Sequence, residues 1–232
     1  MLTQINKDKP FIYFFWLIIF PASLLFLINA IEFSESLLNE IEKKYGDYAK
    51  RRVASWEKLM KENNNIPERE KLEKVNLFFN LLEYRSDQMV WGVNDYWATP
   101  LEFLVSGAGD CEDFSIAKYF TLRELGVDDD KLLITYVKYT EQSGYEQAHM
   151  VLTYYETPES IPLVLDNINK EILSADVRND LRPIYSFNGS GLWRSKELSK
   201  GKKLGEADDV NMWSEMQTRL QTGKIGKFNR IE

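Results

Sequence analysis

The sequence predicts an α+β fold in which N-terminal helices pack against an antiparallel sheet. Apolar residues recur at helical spacing through the first half of the chain, as far as Leu125. Beyond Gly126 the pattern changes to short apolar runs separated by turn residues, which is typical of strands. Helices followed by strands in this order are characteristic of α+β proteins.

Composition excludes several functional classes. The chain of 232 residues is 44% hydrophobic, so it can form a core and is not a disordered polymer. Its net charge of −7 argues against nucleic-acid binding, because phosphates require clustered Lys and Arg. One cysteine and one histidine exclude an intramolecular disulfide and a structural zinc site built within one chain.

Residues 1–30 predict export. Residues 11–30 are uncharged and mostly apolar, they follow Lys7 and Lys9, and they end at Ala30, a plausible cleavage point for a signal peptide. The same length could span a bilayer, so a retained anchor is an alternative, and a buried core helix is a third. The first two interpretations place residues 31–232, as a single domain, in the periplasm, because preceding positive charges stay in the cytoplasm.

Helices account for most of the chain before Gly126. Apolar residues at helical spacing predict one amphipathic helix over 37–60, ending at Asn63, and a second helix that opens at Pro67. The motif Thr99-Pro100-Leu101-Glu102 resembles a capping box and predicts a short third helix. A fourth helix follows the loop at residues 106–109 and extends to Leu125, with the expected stop at Gly126.

The start of that fourth helix carries the only cysteine. Asp110 stands where an N-cap is expected, with Asp113 three residues later, so Cys111 is expected at or next to the first helical residue. A helix N-terminus favours a thiolate over a thiol. Cys111 is therefore a candidate nucleophile, although a lone cysteine is also a common small core residue.

Strands are predicted at residues 132–139, 148–155 and 161–165, and a last helix at 207–221. A turn between Thr157 and Pro158 would place His149 directly opposite Asp166 in a hairpin. The carboxylate could then orient the imidazole as a general base for Cys111, which is the arrangement that acyl transfer requires. The alternatives are a buried core histidine and an aspartate that belongs to a turn.

Three carboxylates flank the cysteine, on Asp110, Glu112 and Asp113. Their charge should raise the thiol pKa and suppress the thiolate. A bound Ca²⁺ would remove this conflict, since clustered carboxylates suit a hard cation, but acids at a helix N-terminus are also common without one. Nearby, Trp97 is a candidate wall of a substrate cleft or a core residue.

These motifs resemble a known family. The segments YWATPLEFLVSGAGDCEDFSIAKYFTLRELG, QAHMVL and LVLDNI are similar to the LapG-type bacterial transglutaminase-like cysteine proteinases. The resemblance implies a papain/transglutaminase-like fold, a catalytic triad at Cys111, His149 and Asp166, and a Ca²⁺ site at Asp110, Glu112 and Asp113.

The resemblance also implies a biological role. Such a protein is expected to be a periplasmic, calcium-dependent endoprotease that cleaves the N-terminal region of a large surface adhesin and so promotes biofilm dispersal. An inner-membrane receptor for cyclic di-GMP is the expected inhibitory partner. A transglutaminase-type acyltransferase with the same triad and a non-catalytic periplasmic binding module are the alternatives.

Overall fold

The computed structural model describes residues 33–196 and 199–229, and it confirms the predicted α+β fold. The segment 1–30, with its interpretations as signal peptide or anchor, lies outside the described residues. Within the described ranges, every helix is too short or too polar to cross a membrane.

Seven α-helices are present in the described ranges. They are α1 Glu35–Tyr45, α2 Asp47–Asn63, α3 Glu68–Phe79, α4 Asp87–Val90, α5 Pro100–Ser106, α6 Cys111–Glu124 and α7 Asn211–Thr222. The prediction of one continuous helix over 37–60 is wrong, because the chain breaks between α1 and α2 at Gly46. Gly46 has φ 96°, which a glycine adopts without the steric penalty of a Cβ, and its N–H closes α1 by bonding to Glu42.

One antiparallel sheet contains most of the strands. These are β3 Leu132–Thr140, β4 Glu146–Tyr154, β5 Leu163–Leu165, β6 Leu173–Ser174, β7 Leu181–Asn188, β8 Gly191–Lys196 and β9 Ser199–Gly205, in the spatial order β6-β5-β4-β3-β7-β8-β9. Two further short strands, β1 Glu83–Tyr84 and β2 Ala108–Gly109, pair in parallel away from this sheet. The sequence predicts β3, β4 and β5 but not the strands that follow them.

The core lies between the helices and the sheet, and α6 runs through it. Ile116 and Leu122 of α6 are fully buried together with Phe103 of α5 and with Leu132 and Leu152 of the sheet. Trp213 of α7 adds a stacked contact with Phe120 and an edge contact with Phe187. The first residue of α6 is therefore held by a rigid, buried element.

The hairpin of β4 and β5 has a different register from the one predicted. Leu152 pairs with Leu165, so Asp166 lies opposite Val151 rather than His149, and the predicted pairing is wrong by two residues. A shift of two keeps every side chain on its original face, because side chains alternate with a period of two. His149 and Asp166 thus become diagonal neighbours, which long side chains can still bridge.

Candidate active site

The loop before Cys111 is fixed by two glycines. Gly107 ends α5 with φ 80°, a left-handed conformation that suits glycine. A Cβ at Gly109 would lie 2.2 Å from Oδ2 of Asp113, so only glycine fits there. β2 then pairs with β1, and the chain enters α6 with Cys111 as its first residue, as predicted.

Cys111 faces both a carboxylate and β4. Its thiol donates to Oε2 of Glu112 at 2.9 Å, and its sulfur accepts the backbone N–H of Met150. The Ser115 hydroxyl lies 2.9 Å from the carbonyl oxygen of Cys111 and 3.1 Å from that of Met150. These contacts attach the first turn of α6 to the residue that follows His149.

His149 and Asp166 form a buried pair. Nε2 of His149 lies 2.8 Å from Oδ1 of Asp166, and the two residues are 3% and 1% exposed. Burial alone would raise the pKa of Asp166, but hydrogen bonds from His149, from the backbone of Ile168 and from Arg178 outweigh it and hold the pKa well below its usual range. Asp166 is therefore ionised. It contacts Nε2 of His149 and does not contact the other ring nitrogen, Nδ1.

Three carboxylates converge beside Cys111, and they differ from the predicted set. Oxygens of Asp87, Asp110 and Glu112 lie within 4.8 Å of one another. Asp87, on α4, was not predicted. Asp113 lies outside this group because its carboxylate accepts the backbone N–H groups of Ala98 at 2.7 Å and of Asp110 at 3.4 Å.

The three carboxylates fit a hard cation such as Ca²⁺. Oδ1 of Asp87 and Oδ1 of Asp110 are buried and have no hydrogen-bond partner among the described residues. Burial, with the charge of Glu112 beside it, raises the pKa of Asp87 to about 7, although a backbone bond from Tyr96 opposes this. Burial and the charges of Asp113, Glu112 and Asp87 raise the pKa of Asp110 to about 11. Negative charge that is buried and unpaired in this way is compensated by a cation with oxygen ligands.

A family model described as bacterial transglutaminase-like cysteine proteinase BTLCP matches residues 44–179. The chain belongs to this family. The proteinase is also similar to solved structures of LapG from Legionella pneumophila. It is 41% identical to the EGTA-treated form, with 79% of this chain and 97% of that chain covered and a TM-score of 0.68. For the calcium-bound form the identity is 40%, the coverage 81% and 99%, and the TM-score 0.68. No curated protein matches the chain.

In this proteinase the surroundings of the Cys111 thiol favour its protonated form. Burial, then the charge and hydrogen bond of Glu112, then the charge of Asp110 raise the pKa of Cys111 well above its usual value. The expectation that the flanking acids raise the thiol pKa is therefore confirmed for Glu112 and Asp110.

Asp87 joins the site through the short parallel pair of strands. Because β1 and β2 run in parallel, the residues that follow each strand emerge at the same end. Asp110 directly follows β2, and Asp87 lies three residues after the end of β1. Strands of two residues leave no periodic signal in a sequence. No pattern in the sequence could therefore have indicated Asp87.

Trp97 is a core residue of the proteinase. It is 5% exposed and stacks on Phe187 with ring centroids 5.4 Å apart, which agrees with the core interpretation of the two that the sequence left open. Tyr84, which pairs with Gly109, is an aromatic residue near Cys111 and is 60% exposed.

Proposed function

We propose that the chain is a calcium-dependent cysteine endoprotease in which Cys111 is the nucleophile, His149 the general base and Asp166 the residue that orients His149. The hydrogen bond between His149 and Asp166, located beside the start of α6, carries this proposal. Along the chain the cysteine comes first, the histidine second and the aspartate third, which is the order that the resemblance to LapG-type proteinases implies.

The proposed reaction follows the usual course of acyl transfer. Nδ1 of His149 takes the thiol proton, and Sγ of Cys111 attacks the scissile carbonyl carbon. The backbone N–H of Cys111 has no acceptor within α6, because it lies in the first turn, and it can donate to the oxyanion. His149 then returns the proton to the leaving amine, and water, deprotonated by His149, releases the acyl group from sulfur. Asp166 stabilises the imidazolium throughout.

Asp87, Asp110 and Glu112 would hold the calcium ion. When bound, the ion supplies positive charge that compensates the carboxylates next to the thiol. The unpartnered oxygens of Asp87 and Asp110 support this assignment. So do the calcium-bound and EGTA-treated forms of LapG, to which the chain is about 40% identical.

We further propose a periplasmic location, a large surface adhesin as the substrate, and inhibition by an inner-membrane receptor for cyclic di-GMP. The apolar segment 11–30, preceded by Lys7 and Lys9, supports export. The resemblance to LapG-type proteinases supports the substrate and the receptor. Cleavage in the N-terminal region of the adhesin would release the cell from a biofilm.

The direct test is cleavage of an adhesin. The full chain, purified in detergent, is incubated with the N-terminal fragment of a large surface adhesin from the same genome, with Ca²⁺ or with EGTA. We expect a new peptide N-terminus with Ca²⁺ only, and no product from Cys111→Ala. Asp87→Asn should raise the Ca²⁺ concentration required, whereas Asp128→Asn, at an exposed aspartate, should not.

Three outcomes would contradict the proposal. Full cleavage in EGTA would exclude calcium dependence, and cleavage by Cys111→Ala would exclude the nucleophile. A product in which an amine is joined to the fragment, with no new N-terminus, would indicate an acyltransferase instead.

A further inference from the structure

Arg178 lies behind the proposed triad and is almost fully buried, with 3% of its surface exposed. Its Nη2 donates to Oδ2 of Asp166 at 2.8 Å, which is the carboxylate oxygen that His149 does not use. The same guanidinium reaches Asp180, with Nε bonded to Oδ1 at 2.8 Å and Nη2 to Oδ2 at 2.7 Å. A continuous chain of hydrogen bonds therefore runs from His149 through Asp166 and Arg178 to Asp180.

The geometry fixes the plane of the Asp166 carboxylate from both sides. Oδ1 accepts His149 at 2.8 Å and the backbone N–H of Ile168 at 3.0 Å, while Oδ2 accepts Arg178. A carboxylate with only one of its oxygens bound could rotate about its Cβ–Cγ bond and lose the imidazole. Arg178 opposes this rotation, and the two bonds to Asp180 hold the guanidinium itself.

Stability does not explain this arrangement. Burying an ion pair usually yields little net stability, because the desolvation of both charges offsets their attraction. Nη1 of Arg178 is in addition buried without a partner among the described residues, which is a further penalty. The Arg178 guanidinium is unfavourable to bury, and it contacts the Asp166 carboxylate. A role at that carboxylate explains its burial better than stability does.

We propose that Arg178, held by Asp180, is a positioning residue that keeps Asp166 in the orientation that binds Nε2–H of His149. The inference rests on the proposed function, since it concerns the same His149 and Asp166. Without Arg178, Asp166 would no longer select one tautomer of His149, and Nδ1 would not remain available to accept the thiol proton.

The chain offers a clear spectroscopic test, because His149 is the only histidine. The full chain, labelled with ¹⁵N and purified in detergent, is studied by long-range ¹H–¹⁵N correlation of the imidazole. The native protein should show one tautomer, protonated at Nε2. Arg178→Met should show a mixture of tautomers, and its Cys111 should react with iodoacetamide about tenfold more slowly in Ca²⁺, by analogy with the loss of partners that orient metal-bound histidines.

Conservative and matched variants separate positioning from folding. Arg178→Lys keeps the charge but cannot bond to both aspartates in the same way, so it should restore part of the Nε2–H tautomer and of the thiol reactivity. Asp180→Asn removes the outer anchor at a half-buried position and should give an intermediate spectrum. Asp176→Asn, an exposed aspartate in the same segment, should behave as the native protein.

Lys118 is the control for the loss of a buried basic side chain. Its Nζ donates to the backbone carbonyl of Asp166 at 3.1 Å and does not contact the carboxylate. Lys118→Met should therefore lower the melting temperature and leave the tautomer of His149 unchanged. A mixture of tautomers as large as in Arg178→Met would contradict a specific role for Arg178.

The outcomes for Asp166→Asn distinguish this inference from the proposed function. If Asp166→Asn leaves the imidazole spectrum unchanged, the pair of His149 and Asp166 is not formed and the proposed triad fails. If Asp166→Asn alters the spectrum while Arg178→Met and Asp180→Asn do not, only the role of Arg178 is overturned.

Discussion

At the scale of single residues, Asp166 joins the proposed chemistry to the stability of the fold. Its carboxylate is buried, and it is ionised because His149, Ile168 and Arg178 all donate to it. The same bonds that orient the imidazole therefore stabilise the folded state. This stabilisation has a characteristic dependence on pH.

Asp166 should make the protein sensitive to acid. Its pKa is depressed below about 3.9, the value expected in the unfolded chain, so its contribution is complete above about pH 5 and is lost as pH falls toward the folded-state value. The difference in unfolding free energy between the native protein and Asp166→Asn should shrink from about pH 5 to about pH 2. Urea denaturation at several pH values measures this difference.

The exposed Asp176 is the control for this measurement. Asp176→Asn should unfold at the same urea concentration as the native protein throughout the range. A difference between native protein and Asp166→Asn that stays constant with pH would show that Asp166 is not held in its ionised form.

The three residues of the proposed triad could be predicted because the sequence offers few choices. With one cysteine and one histidine, nucleophilic thiol chemistry can involve only Cys111 and His149. Asp166 was predicted from a hairpin of β4 and β5. The predicted register is wrong by two residues, but a shift of two leaves Asp166 on the same face of the sheet as His149. Asp87 could not be found, since its approach to Asp110 depends on two strands of two residues each.

At the scale of elements, the start of α6 combines a cap with the carboxylates around the thiol. Asp113 is fully buried, and both of its oxygens accept backbone N–H groups. It therefore closes the helix and anchors Ala98, whereas Asp110 and Glu112 turn toward Asp87. Three neighbouring acidic side chains thus have two different tasks.

The variant Asp113→Asn separates these tasks. The amide would place an N–H donor against a backbone donor, so the unfolding free energy should fall by about 1–3 kcal/mol, the range for a buried group left unsatisfied. Calcium affinity, measured by calorimetry, should change much less than in Asp87→Asn. If Asp113→Asn abolished calcium binding while its melting temperature was unchanged, Asp113 would be a ligand as the sequence predicted.

Helices were easier to predict than strands for a physical reason. The start of α5 is encoded locally, because Thr99 and Glu102 form a reciprocal capping box and Pro100 fits the first turn. The break at Gly46 also has a local signal, since Lys43 and Lys44 precede the glycine, but apolar residues continue at helical spacing beyond it and favour one long helix. The outer strand β9, with the sequence SKGKKLG, has little alternation of apolar and polar residues, and it exists because β8 provides a neighbour.

At the scale of the whole molecule, protons and calcium should compete for the same carboxylates. The raised pKa of Asp87, about 7, and that of Asp110, about 11, mean that the metal-free fold prefers the protonated acids. Stability from this source is present below about pH 4 and is lost as pH rises through the folded-state values. Calcium should then replace the protons.

The rise in melting temperature caused by Ca²⁺ should therefore be larger at about pH 8 than at about pH 5, because binding requires deprotonated ligands. At free Ca²⁺ of about one hundred times Kd the stabilisation should approach ~2.7 kcal/mol. Differential scanning calorimetry at both pH values tests this, with Asp87→Asn as the variant that should respond weakly. Equal shifts at the two pH values would contradict the competition.

The measurement that tests the central claim most directly is the alkylation rate of Cys111 by iodoacetamide in the full chain. The chain has a single cysteine, so every adduct reports on this thiol. We expect Ca²⁺ to accelerate alkylation, EGTA to reverse the effect, and both Asp87→Asn and His149→Ala to weaken it, because the thiolate needs the compensated carboxylates and the imidazole. Equal rates with Ca²⁺ and with EGTA in the native protein would contradict the claim that calcium at Asp87, Asp110 and Glu112 activates Cys111.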